Sequence, residues 1–109
     1  MIMLLNDTLT LISRAYYKDP YGIQRETETT KEIFCDASSI GATEFYEAAQ
    51  AGLRPEYRFI VLDAEYSGET LVRFHGTDLN VYRTYRRSLD YIELYTSRRQ
   101  GVNGYQGNE

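Results

Sequence analysis

One stretch departs from the pattern of the rest of the chain, and it constrains the fold more than any other feature. Outside Ile40–Phe59, apolar and polar residues largely alternate with the period of β-strands. Inside it, Phe45, Ala48, Ala49 and Gly52 fall at i, i+3, i+4 and i+7, one face of a helix. Gly52 stands where a helix C′ glycine is expected, and Pro55 stops any continuation. The sequence reads as a β protein with one non-β insertion.

The strand candidates are Thr8–Tyr17, Ile23–Ala37, Tyr57–Tyr66, Leu71–Phe74, Leu79–Arg86 and Tyr91–Thr96. Lys18-Asp19-Pro20-Tyr21-Gly22 makes the first turn, since Pro fixes φ and Gly permits φ > 0. Ser67-Gly68, Gly76-Thr77-Asp78 and Ser88-Leu89-Asp90 mark the later ones. Residues 25–32 are polar on both faces, which suits an exposed edge or a projecting hairpin arm. Ile33, Phe34 and Cys35 then re-enter a core. Phe59-Ile60-Val61-Leu62 is apolar on both faces, the mark of a central or doubly covered strand. The spacing predicts a mainly β fold: an up-and-down antiparallel sheet or small barrel of about six strands. Residues 1–109 read as a single domain, with 40–57 an inserted loop or short helix. Residues 99–109, rich in Gly and Asn, read as a flexible tail.

The net charge of −4 is unevenly placed: residues 1–53 carry four Lys/Arg against eight Asp/Glu. An acidic chain is a poor general DNA binder, because phosphate affinity comes from neutralising charge. Cys35 is the only cysteine, so it can form no intramolecular disulfide and reads as a small buried hydrophobe in a reducing compartment. Met-Ile-Met-Leu-Leu at the start is too short for a signal peptide, and no apolar run reaches membrane-spanning length.

Candidate chemistry is thin. His75, the only histidine, sits at a turn and reads as a solvated residue. Asp63 and Glu65 lie two apart on one predicted strand face, a solvent-facing acidic pair without a third oxygen-rich segment. No phosphate loop and no metal-ligand spacing occurs, so the chain reads as a non-enzyme without cofactor or metal. Arginine and tyrosine are more informative, with eleven Tyr and no Trp in the chain. Arg83, Arg86 and Arg87, with Arg98 and Arg99 one strand later, are expected to cluster among Tyr82, Tyr85, Tyr91 and Tyr95. Such a face fits a protein interface, an OB-like nucleic-acid platform, or a plain solvated sheet. The acidic total favours protein.

The run Glu44-Phe45-Tyr46-Glu47-Ala48-Ala49-Gln50-Ala51-Gly52-Leu53-Arg54-Pro55, followed by a strand and Glu65-Tyr66-Ser67-Gly68-Glu69, resembles tailed-phage head-closure proteins. Asn80-Val81-Tyr82-Arg83-Thr84-Tyr85 and Ile92-Glu93-Leu94-Tyr95 are similar to the closing strands of that family, and the likeness spans roughly Thr8 to Gly101. It is nearest to the head-completion, or stopper, proteins of Bacillus long-tailed phages. One departure is the lack of the Trp that many relatives carry in the second strand region.

The resemblance implies a small β-barrel that assembles with itself into a dodecameric ring in the virion, at the head-to-tail interface. That ring holds packaged double-stranded DNA in the capsid without sequence specificity. It lies beneath the portal and adaptor and offers a docking surface to the tail-completion protein. On this view the protein is made in the host cytoplasm and has no membrane partner. Ile40, Gly41, Ala42, Thr43 and the run Glu44 to Pro55 would then form a channel-gating loop. Arg25, Glu26 and Glu28 on the arm would contact neighbours, as would Arg83, Tyr85, Arg86, Arg87, Tyr91, Tyr95 and Arg98 on the sheet. Residues 40–53 carry Glu44 and Glu47 and no base, which lets DNA slide past rather than stick. Phe45 is the only large residue on a narrow apolar face, so the insertion is expected to be weakly ordered in the free subunit. The rival readings are a monomeric OB-like nucleic-acid-binding barrel and an adaptor domain of another complex.

Overall fold

The computed structural model describes residues 4–98. Six antiparallel strands form a closed barrel: β1 (Asp7–Lys18), β2 (Gln24–Ser39), β3 (Pro55–Leu62), β4 (Leu71–Phe74), β5 (Thr77–Arg86) and β6 (Tyr91–Arg98). One helix, α1 (Ala42–Gln50), lies between β2 and β3. The expected tail lies outside the described residues.

Period-two alternation selects the core. Leu9 and Leu11, Ile33 and Cys35, Phe59 and Val61, Val72 and Phe74, Leu79, and Ile92 and Leu94 point into one cluster. Ile60 lies on the opposite row of β3 and is buried as well, so that strand is covered on both faces. Phe34 falls on the other row from Ile33 and Cys35 and is exposed, not in the core as expected. A one-residue step in a strand reverses the face.

Neighbours run β1-β2-β3-β6-β5-β4 around the barrel, which is not an up-and-down order. The difference arises after β3. That strand ends at Leu62, and a 3-10 turn over Asp63–Glu65 replaces its expected continuation to Tyr66. The segment through Ser67-Gly68 therefore makes no β3–β4 hairpin; it carries the chain to the far side of the barrel, where β4 pairs with β1 and β5. The β4–β5 turn is His75-Gly76, with φ of 48° and 83°, while Thr77 and Asp78 already belong to β5. Two positive φ values in a two-residue loop match the right-handed twist of the strands it joins.

The β1–β2 hairpin outgrows the barrel. It stays in register from Asp7↔Cys35 to Lys18↔Gln24. However, β1 meets β4 only over Thr10–Ile12, and β2 meets β3 only over Asp36–Ser39. Residues beyond Ile12 form a two-stranded arm about 20 Å long at ~3.4 Å per residue. Asp19 fixes its tip: Oδ1 accepts from the Tyr21 and Ile23 N–H groups, and Oδ2 accepts from Arg25. The described residues span 55 × 34 × 22 Å.

Candidate functional site

Glycine shapes the start of the insertion and completes its end. Gly41 begins α1 with no side-chain cap, and its carbonyl accepts from the Phe45 N–H. At the other end Gly52 takes φ +86°. Its N–H donates to the Ala49 carbonyl and that of Leu53 to the Ala48 carbonyl, the paired bonds of a Schellman cap. Thus the segment forms a capped helix in the single chain. The non-β insertion also ends sooner, because β3 begins at Pro55 rather than Tyr57.

What holds the helix to the barrel differs from what its periodicity suggests. Ala48 is its only buried residue, whereas Phe45 and Tyr46 are exposed. The attachment is polar. Glu44 Oε1 accepts from Arg83 Nη2 at 2.6 Å, and Oε2 accepts from the Tyr82 hydroxyl at 2.7 Å. Consecutive residues of a regular strand point to opposite faces, so Tyr82 and Arg83 need a reason to share one carboxylate. That reason is a shift in the β5–β6 register, from Val81↔Thr96 to Arg83↔Tyr95. Irregularities of this kind re-aim side chains.

The contact extends across the sheet. The Arg83 guanidinium lies 4.0 Å from the centre of the Tyr95 ring, and the Tyr95 hydroxyl donates to Glu93 at 2.7 Å. Buried Glu93 also accepts from Arg87 at 3.0 Å. The chain of contacts links the helix to the β5–β6 turn. The Arg83 hydrogen bond holds the Glu44 carboxyl below its ordinary pKa. Burial, with the Glu44 hydrogen bond second, pushes the Tyr82 hydroxyl well up. Burial, followed by the Glu93 bond, raises that of Tyr95.

Several expected relationships are rearranged. Glu44 faces the barrel, whereas Thr43, Tyr46, Glu47 and Gln50 make an exposed stripe at helical spacing. Arg86 pairs with Asp63 at 2.7 Å, so Asp63 does not join Glu65 on a strand face. Arg98 does not join the Arg83–Arg87 cluster. Antiparallel pairing places it opposite Leu79, at the other end of β5, where it binds Glu56 at 2.9 Å. Arg99 lies outside the described residues. Arg25, Glu26 and Glu28 lie on the arm, with Arg25 on Asp19 and Glu28 on Arg14.

Beside the helix, a groove of about 370 Å³ runs past Phe45, Ala49, Leu53, Pro55 and Arg98. His75 stands exposed at the β4–β5 turn, as expected, and also stacks on Phe74 at 3.9 Å and lies 3.1 Å from Asp7. Among the described residues, no group of three or more His, Cys, Asp or Glu gathers to hold a metal, and no helix is long and apolar enough to cross a membrane. Tyr82 is the member of the helix attachment that sequence reasoning missed. Its signal was its place among the arginines and tyrosines of residues 82–95, which did not tie it to the helix. No protein-family model and no curated protein sequence matches the chain.

Proposed function

We propose that the protein is a non-enzymatic virion component that closes the head-to-tail channel after DNA packaging, retains DNA in the capsid and offers a surface for tail docking. The observation that carries this reading is the helix displayed on the barrel wall: one buried residue, a carboxylate attachment, and an exposed stripe of Thr43, Tyr46, Glu47 and Gln50 without a base. A segment of that kind, repeated around a ring of copies, lines a channel with neutral and acidic groups that do not grip phosphate. The resemblance over residues 8–101 supplies the context of portal, adaptor and tail-completion partners.

The rival nucleic-acid platform is disfavoured by the arginines. Arg83, Arg86, Arg87 and Arg98 are each engaged by a carboxylate of the same chain, which diminishes the charge available to a phosphate backbone. Replacing Phe45 and Tyr46 with Ala tests the gate in assembled particles. Loss of packaged DNA from heads with intact rings is expected; full retention overturns the assignment. Tight, steeply salt-dependent binding of single-stranded DNA by the isolated chain would instead favour the rival.

A further inference from the structure

Phe45 and Ala49 stand one turn apart on α1 and Leu53 follows its cap, so the three make an apolar stripe along one side of the helix. The barrel leaves that stripe uncovered: Phe45 is 46% exposed, and Ala49 is exposed as well. The stripe instead lines the groove of about 370 Å³, together with buried Pro55 and the side chain of Arg98. Strand β6 ends in this groove. Ser97 pairs with Pro55, and the Arg98 N–H donates to the Arg54 carbonyl at 2.8 Å. The same antiparallel step, carried one residue on, sets residue 99 beside Leu53. The chain thus leaves the last described residue at the edge of the groove. Residues 99–109 contain two large apolar side chains, Val102 and Tyr105, three positions apart.

We infer that residues 99–109 of the same chain occupy the groove beside α1, with Val102 against Ala49 and Leu53 and Tyr105 against Phe45. Reach agrees: extended chain covers up to about 14 Å from Arg98 to Val102 and about 24 Å to Tyr105. Spacing agrees too, because residues three apart in extended chain are about 10 Å apart, and eight residues of helix rise about 12 Å. Tethering selects this occupant over a second copy or another protein. The segment starts at the edge of the groove and meets it at the high effective concentration that a short tether sets. The contact adds an apolar attachment to a helix that Glu44 holds by a polar one. Thr43, Tyr46, Glu47 and Gln50 lie on another side of α1 and stay free. The inference concerns the single chain and holds or fails independently of ring assembly and channel closure.

A nitroxide attached to the full chain at Asn103→Cys reads the contact, and Cys35, fully buried, stays unlabelled. In the magnetic resonance spectrum the nitroxide is expected to erase the amide signals of residues 45, 49 and 53 and to spare those of the arm tip at 19–23. A second label, at Asn108→Cys, is expected to erase the same three. Adding Val102→Ser and Tyr105→Ser to either labelled chain is expected to restore them, while unchanged barrel signals show that the variant folds. Isotope-labelled chain without nitroxide, mixed with nitroxide-bearing chain without isotope, is expected to keep all its signals. Loss of the three signals in that mixture assigns the groove to a second copy and overturns the inference. So does absent or uniform loss with both labels, or selective loss that survives the double substitution.

Discussion

Arg83 and Glu44 lie 39 positions apart, and the guanidinium reaches the carboxylate at 2.6 Å. Because α1 buries only Ala48, this pair, with Tyr82 on the same carboxylate, is the principal specific attachment of the helix to the sheet. The acid sits in the first turn of α1, where the helix dipole also favours negative charge.

Removing the carboxylate should release the helix before it unfolds the barrel. Glu44→Ala is expected to cost roughly 1–2 kcal/mol, the range for charge-assisted hydrogen bonds discounted for the partly exposed Arg83. Hydrogen exchange should accelerate at the amides of residues 45–53 and change little in β3 and β6. Uniform acceleration would show that the attachment stabilises the whole barrel instead.

Acid should act in the same place. The folded pKa of Glu44 lies below its ordinary 4.5, chiefly through the Arg83 hydrogen bond. Its stabilisation is therefore complete above the unfolded value and is lost as pH falls through the folded one. Asp7 and Asp19 are lowered too, each first by a backbone N–H, from Thr8 and Ile23 respectively. The melting temperature is expected to decline once pH drops below about 4.5. In Glu44→Gln that decline should be shallower. Equal acid sensitivity in the variant and the wild type would remove Glu44 from the account.

Cys35 should be chemically silent. It is fully buried, and burial, reinforced by the Asp7 and Asp36 charges, pushes its thiol up to about 12. The reactive species is the thiolate. An alkylating reagent is expected to label the native chain no faster than the protein opens, and to label it promptly in urea. Rapid native labelling would contradict the burial.

Two phenylalanines should separate core from surface. Phe59 is fully buried and packs its ring 4.9 Å from Phe74 and 5.6 Å from Tyr57. Phe59→Ala should cost about 3–5 kcal/mol in urea denaturation. Phe34→Ala, at an exposed strand position, should stay within about 1 kcal/mol in the isolated chain. Similar costs at both sites would mean that the barrel rows are misassigned.

Period-two alternation was enough to identify six strands, and the i, i+3, i+4, i+7 spacing the helix with its Gly52 stop, because these depend on chemistry within a few residues; which row of each strand faces inward was not chosen, and Phe34 was placed in the core. It also revealed that residues 25–32 could not be core. Strand order lay beyond it. Whether Ser67-Gly68 closes a hairpin or carries the chain across the barrel depends on which edge β4 meets, and local sequence says nothing about that edge. The candidate site divides the same way. Glu44, Tyr82 and Arg83 were each legible as polar or aromatic, but their meeting needed a register shift in β5 and a helix laid back on the sheet. Phe45, the one large residue on the narrow apolar face, stays exposed in the fold, and Glu44 attaches the helix instead. Apolar period measures which residues can share a face. Only tertiary packing decides which face has something to lie against.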